Sequence, residues 1–573
     1  MKDYSNWKPI LDYENDSLWV NPNRPWLKHR YAAKTPKLPK TIKIEPIPLH
    51  EFIKLRIKDH LDKVCVEFKE DDITYTYREL LNYSDRVANA LWELGIKKGD
   101  SVGIFTPNNP EFIFCSLGIL ETGASISPIN KLLKESDVSH IIREAGNINT
   151  IFVHTDLLKE VKKSIEEGAK LDNIILLGTK KGKEGYPSFD QFIENKAPKP
   201  PHVDIDPEND IAAMLFTGGT TGLPKGVMLT HNNLVMNILQ GLYNGGDAFE
   251  PLIYGKLTVL QILPLCHAMG FAGFIRSLCL AIHMVMMRFD PSKVLEAIET
   301  YKIRFFGAVP AMYQMLVNDP DFTKRDISSL IGASSGSAAL APEINKKWEQ
   351  ITGLKVGQGY GLTETSPFTH GNAAWMPKVK RRSIGAPAID TDSIIVNTET
   401  LEEAKIGEVG EIWIRGPQIM KGYWKRPEAT SNVLLKRKDG NIWFRTGDLG
   451  RIDEDGFFYI EGRSKDMIKY KGYKILPVEV EQKLYEHPAI LEAGVVSAPD
   501  PNIGETIKAF VVLKEDYRDN KISEQDIIEW SKEHMAGYKY PRIVEFIDKL
   551  PRTPVRKVDR KKLRKMELKA QIH

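Results

Sequence analysis

Cysteine is scarce in this chain: Cys65, Cys115, Cys266 and Cys279 are the only four among 573 residues, they lie far apart, and none forms a C-x-x-C pair. That scarcity argues against a disulfide scaffold and against the usual zinc-binding spacings. Four isolated thiols in apolar runs are expected to be buried and free, as in a reducing compartment. Net charge is equally small, +3 at pH 7, so neither nucleic acid nor an anionic membrane is implied as a partner. The longest greasy region, 257–289, is broken by Pro264, His267, Arg276 and His283 and reads as buried core, not as a transmembrane helix. The opening "MKDYSNWKPILDYEND" carries charges and a tryptophan where a signal peptide needs an apolar core, so a cytoplasmic protein is expected. Internal repeats and low-complexity tracts are missing too.

What the chain does have is 42% hydrophobic residues over a length that calls for two or more domains. Strand-like and helix-like patterns alternate along most of it. "ITYTYRELLNYSDRVANALWELGI" reads as a short strand, then Thr76 and Glu79 at capping-box spacing, then an amphipathic helix. "SVGIFTPNNPEFIFCSLGILETGASISPI" repeats the order of strand, loop and apolar helix. The pattern predicts an α/β fold in which helices pack on sheets in several layers. Two connectors stand out, the proline-rich 195–210 and the segment 462–477, the latter following a hairpin that turns at Asp455-Gly456. Beyond it, about 100 residues read as a separate α+β unit.

Between two apolar runs lies "LFTGGTTGLPKGVMLT", residues 215–230. On composition it is either a flexible turn or a phosphate cradle in which glycine amides, threonine hydroxyls and Lys225 surround an anion. It lacks the G-x-x-x-x-G-K-[ST] spacing of the common P-loop, and "VMLT" predicts that the loop leads into a strand.

Read with later motifs, the chain resembles the AMP-forming acyl-CoA synthetases of the adenylate-forming superfamily. "FTGGTTGLPKG" is similar to that family's phosphate loop, "LPLCHAMG" to its acid-site motif and "QGYGLTETSP" to its adenine and magnesium motif. "GEIWIRGPQIMKGYW", "RTGDLG" and "GRSKDMIKYKGYKILPVEVE" follow in the family's order, and the likeness runs from about Thr74 to Lys562. The resemblance implies a large N-terminal domain, 1–462, and a small mobile C-terminal domain, 463–573, with a hinge near Lys465. It implies ATP, Mg2+ and CoA as cofactors or co-substrates. Thr217, Gly218, Gly219, Thr220, Thr221, Gly222 and Lys225 would cradle the phosphates, with Thr363 adding a hydroxyl and Glu364 holding magnesium. Gly336, Ser337, Ala338, Tyr360 and Gly361 would line adenine; Asp448 and Arg463 would take the ribose; His267 would stand at the acid pocket. Each has a plain alternative on the residues alone: a loop cap for Thr363-Glu364, a core tyrosine, an Asp-Gly turn, a core histidine.

In the C-terminal part, "PRTPVRKVDRKKLR" is similar to the family's last motif and makes Lys557 the lysine that bridges carboxylate and phosphate oxygens. Arg556 departs from the pattern, which has glycine before that lysine. The resemblance also implies a second half-reaction, in which Lys469 to Gly472 face the site and Gly472 leaves room for the pantetheine arm. The basic cluster "KVKRR", 378–382, is open to CoA phosphates or to solvent. The function expected is an ATP-dependent ligase that makes acyl-CoA through an acyl-adenylate, with a medium- or long-chain fatty acid favoured because the leader "PWLKHRY…IEPIPLHEFI" resembles fatty-acyl ligases. Short, hydroxy and aromatic acids compete. Two other classes stay open: a module loading a carrier protein, marked by a carrier domain, and a non-catalytic nucleotide or acyl sensor, which Arg556 keeps in view. A homo-oligomer is compatible with the sequence.

Overall fold

Strands Ser101–Phe105 and Ser125–Ile129 are buried at every position, as expected of parallel strands covered on both faces. They lie in a seven-stranded sheet, ordered Gly422–Tyr423, Lys225–Thr230, Ile211–Thr217, Ser125–Ile129, Ser101–Phe105, Ile148–His154, Asn173–Leu177. From Ile211–Thr217 to Asn173–Leu177 neighbouring strands are parallel; Lys225–Thr230 and Gly422–Tyr423 add an antiparallel edge. The computed structural model describes residues 2–32, 37–144, 148–217, 224–373, 375–376, 379–380, 382–501, 503–518, 522–553 and 558–570. The protein is mixed α/β, with a large N-terminal part and a smaller C-terminal one. By contacts it divides into two units, one made of 1–393, 414–444 and 455–457, the other of 394–413, 445–454 and 458–573.

In the first unit, helix Pro110–Glu121 crosses between the two central strands, and Asn109 caps it by accepting the Phe112 N–H at 3.1 Å. All its residues but Glu111 are buried, each Phe, Ile or Leu side chain contributing roughly 1.5–3 kcal/mol. It packs on helix Tyr77–Glu93, which begins with the capping box expected at Thr76 and Glu79. A second sheet orders Thr258–Gln261, His283–Met286, Val64–Phe68 and Ile73–Thr76, so the greasy 257–289 region is indeed core. A third has three parallel strands, Phe305–Ala308, Gly332–Ser335 and Val356–Gln358. The N-terminal leader is held by two buried carboxylates: Arg24 pairs with Asp392 at 2.7 Å, and Asp390 accepts the Ser17 hydroxyl at 2.5 Å and the Ile42 N–H at 2.8 Å.

The second unit includes the hairpin Ile468–Tyr470 with Tyr473–Ile475 and a three-stranded sheet of Ile490–Asp500, Gly504–Leu513 and Ile543–Phe546. Helices Pro477–Leu484, Glu524–His534 and Arg560–Ala570 accompany it, the middle one starting from a Ser523–Asp526 capping box. All four cysteines are free. Cys65, Cys115 and Cys279 are buried as expected, and Cys266 is partly exposed as a residue. Burial nevertheless pushes every thiol upward, those of Cys266 and Cys279 to about 12. Among the described residues, no helix is long and apolar enough to cross a membrane.

Candidate active site

Thr217 and Lys225 face each other as cross-strand partners at the ends of the Ile211–Thr217 and Lys225–Thr230 strands. The intervening chain is therefore pinned at both ends by a β ladder, and the strand expected after the glycine loop is present. Gly218, Gly219, Thr220, Thr221 and Gly222 lie outside the described residues. At the near end, Pro224 presents its carbonyl to His140 Nε2 at 3.1 Å.

Lys225 Nζ stands 4.9 Å from the centre of the Tyr423 ring, and the Tyr423 hydroxyl donates to Glu364 Oε1 at 2.8 Å. The edge strand that carries Tyr423 pairs with Lys225–Thr230, while the Glu364 carbonyl accepts the Met420 N–H at 2.9 Å. Burial, reinforced by the neighbouring Glu364 charge, raises the Tyr423 phenol well above its ordinary range, so it keeps its proton and serves as donor. A cation, a phenol and a carboxylate thus stand in series beside the loop ends.

Ser335 and Gln358 end two parallel strands, and the segments 336–338 and 360–365 leave from those carboxyl ends, the usual place for a ligand crevice in an open α/β sheet. Ser337 is held at φ 74°. Tyr360 meets His370 edge to face with ring centres 5.6 Å apart, and burial pushes His370 down to about 3, which keeps that backing imidazole neutral. Gly361 is pressed so closely to the Pro367 carbonyl that a Cβ would lie 1.6 Å from its oxygen. Thr363 and Glu364 sit in the single turn Thr363–Thr365, closed by the Thr365 hydroxyl, which accepts the Leu362 N–H at 3.0 Å and donates to the Pro367 carbonyl at 2.7 Å.

His267 precedes helix Ala268–Cys279, and its Nε2 lies 3.0 Å from Asn130 Nδ2. Two residues on, Met269 borders Gly336, whose missing Cβ would stand 3.3 Å from the Met269 sulfur. The acid-site motif and the 336–338 segment are therefore neighbours. Gly270 is required by close backbone packing, since a Cβ there would come within 2.1 Å of the Pro264 carbonyl. Gly273 is open on that measure, with Gln261 Oε1 nearest at 3.9 Å.

In the second unit Asp448 and Arg463 are cross-strand partners, joined by an ion pair of 2.8 Å. Asp448 is buried, and its own N–H donates to the Thr446 hydroxyl at 3.0 Å. Lys465 occupies the single turn Ser464–Asp466 that follows. Lys469 is exposed on the next strand, its N–H donating to Glu505 at 2.9 Å. Gly472 forms the tip of a two-residue hairpin with φ 84°, next to Lys471 at 47°, and no atom lies within 4 Å of the place its Cβ would take. A turn with both central residues at positive φ asks for glycine on backbone grounds alone. Lys557 and Arg556 lie outside the described residues; the chain on either side is joined by a bridge between Arg552 and Val558. Of the basic cluster, Lys380 is paired with Asp455 at 3.0 Å.

The family model described as AMP-binding enzyme matches residues 54–424, and its companion, the AMP-binding enzyme C-terminal domain, matches 479–557. The chain belongs to the AMP-binding enzyme family. A long-chain-fatty-acid–CoA ligase of Bacillus subtilis (strain 168) is 37% identical over 528 residues, 88% of this chain and 91% of the relative. A 4-coumarate–CoA ligase of Pinus taeda is 32% identical over 550 residues, 94% of this chain and 98% of the relative. Among solved structures, the anthranilate CoA ligase AuaEII in complex with anthranoyl-AMP superposes with a TM-score of 0.82 at 27% identity, covering 92% of this chain and 98% of that one. The protein is an acid–thiol ligase of the AMP-forming type.

Two residues that sequence reading did not single out touch the candidate site residues of this AMP-binding enzyme. Tyr423 stands within a motif quoted for its resemblance, but nothing in the motif says that its hydroxyl reaches Glu364, 59 residues away. Asn130 touches His267 across 137 residues. Among the described residues no three His, Cys, Asp or Glu side chains gather to hold a metal. A single hard carboxylate oxygen, as Glu364 offers, fits a magnesium ion that finds its other oxygens on water and phosphate.

Proposed function

We propose that this ligase activates a medium- or long-chain fatty acid in two steps. A carboxylate oxygen attacks the α-phosphorus of ATP and diphosphate leaves; the CoA sulfur then attacks the acyl carbon, its thiol proton departs, and AMP leaves with the carboxyl oxygen. Magnesium, when bound at Glu364, would neutralise phosphate charge in the first step. The observation that supports the adenylation reading is the Lys225–Tyr423–Glu364 series beside the loop ends, a cation and an oriented carboxylate of the kind a polyphosphate and its magnesium call for. Thr217, the loop amides 218–222 and Thr363 add donors. Tyr360 stacks on adenine with Gly336, Ser337, Ala338 and Gly361 around it, Asp448 and Arg463 hold the ribose, and His267 meets the acid.

We infer that 463–573 moves about Lys465 between the steps, bringing Lys557 to the first and Lys469 with Gly472 to the second. Alternating two faces of one small domain explains how one site serves both reactions and keeps water from the acyl-adenylate. The fatty-acid choice is supported by the 37% identity to the Bacillus ligase against 32% for the coumarate enzyme. An aromatic acid is the second reading, favoured by that coumarate relative and by the anthranilate ligase structure. The test is diphosphate and AMP release from Mg-ATP over C2 to C18, hydroxy and aromatic acids, with and without CoA. CoA-dependent AMP peaking at C8 or longer is expected; a peak on aromatic acids replaces the substrate reading, and no release with any acid overturns both.

A further inference from the structure

We infer that Asn130 is a positioning residue that fixes His267 as the tautomer carrying its proton on Nδ1. Asn130 follows the Ser125–Ile129 strand, and its Oδ1 accepts the backbone N–H of Leu132 at 2.9 Å. A backbone N–H can only donate, so that contact settles which way round the side-chain amide lies. The other arm, Nδ2, is therefore the one facing His267 Nε2 at 3.0 Å. An amide NH2 has no lone pair to offer in that direction. Nε2 must accept, and the proton of the neutral ring resides on Nδ1.

The frame around this contact is rigid. The His267 N–H donates to the Pro264 carbonyl at 3.1 Å, and the His267 carbonyl accepts from Phe271 at 2.7 Å. Asn108, after the adjacent Ser101–Phe105 strand, donates to the Leu263 carbonyl at 2.8 Å and accepts the Leu265 N–H at 2.9 Å. Two asparagines leaving neighbouring parallel strands thus hold the 263–267 segment, one by its backbone and one by its imidazole. The tautomer stands on this geometry alone. Its consequence, that His267 meets the acid as a neutral Nδ1–H donor and not as a base at Nε2, rests on the reading of His267 proposed above.

The test is a two-bond 1H–15N spectrum of the full-length protein with 15N-labelled histidine rings, the His267 signals being assigned by their loss in His267→Gln. The wild type is expected to show a protonated Nδ1 and an unprotonated Nε2. In Asn130→Asp, whose carboxylate can only accept, the proton moves to Nε2; in Asn130→Ala the two tautomers mix. A wild-type ring protonated on Nε2, or an unchanged tautomer in Asn130→Asp, overturns the inference, and the wild-type spectrum decides even if a variant fails to fold. Asn130→Asp is further expected to slow adenylation at least about tenfold, with no additional loss in the His267→Gln background. If the tautomer switches while neither Asn130→Asp nor His267→Gln alters adenylation, Asn130 keeps its role and the acid-site reading of His267 falls.

Discussion

Tyr423 links the two charged residues of the candidate site, its ring face toward Lys225 and its hydroxyl on Glu364. Tyr423→Phe keeps the ring and deletes the bond to a charged acceptor, a loss of about 1.5–3 kcal/mol, so kcat/KM for Mg-ATP in diphosphate release should fall roughly tenfold or more. The KM for the acid should hold steady; an unchanged kcat/KM for Mg-ATP would show that Glu364 needs no orientation from this phenol. At this scale sequence reading picks out what consecutive residues carry, such as the strand that begins at Lys225, while the roles of the glycine loop and of Thr363-Glu364 toward ATP are those proposed above. It fails for Tyr423 and Asn130, because a hydrogen bond between strand ends leaves no mark in either local sequence. Gly472 shows a different gap. Glycine there was explained by a ligand's need for space, whereas the turn conformation supplies its own reason.

Helix Arg560–Ala570 is tied into the second unit by charge. Arg560 Nη2 reaches both oxygens of Glu481, at 2.7 and 2.6 Å, and Arg564 donates to Asp466 at 2.8 Å. Asp466 adjoins Lys465, so the last helix is anchored beside the proposed hinge, and Lys508 pairs with Glu567 further along it. Both members of the Arg560–Glu481 pair are mostly buried, which puts their interaction between the exposed and the fully buried cases. Arg560→Ala should cost about 2 kcal/mol in denaturant unfolding, and a cycle with Glu481→Gln should show coupling of about 1 kcal/mol or more. Coupling near zero would reduce the pair to a surface contact. Elements themselves were largely legible: Thr76–Glu79 announces its helix because capping is decided between near neighbours. The basic run after Lys557 was less so, since a solvated tail and an anchoring helix share one composition until Glu481 and Asp466 come into reach.

At the scale of the whole molecule, stability should carry the signature of Glu121, where three helices meet. Lys54 lies 2.8 Å from its carboxylate and 3.2 Å from Asp85, yet burial pushes Glu121 up from 4.5 to about 8. Folding raises its proton affinity, so the stability it contributes is complete below pH 4.5 and is lost as pH climbs to about 8. Glu121→Gln should flatten that decline: between pH 5 and 8.5 the variant's unfolding midpoint should drop less than that of the wild type, and parallel pH profiles would refute the assignment. The four cysteines bear on the molecule's chemistry in a similar way. An enzyme that makes acyl-adenylates holds an electrophile that any thiolate nearby would attack. Burial pushes the thiol of Cys266, next to His267, up to about 12, and the other three are pushed upward as well, so all four favour the protonated form at neutral pH. Thiols kept protonated by burial make poor nucleophiles, which leaves the thiol that CoA brings to capture the activated acid.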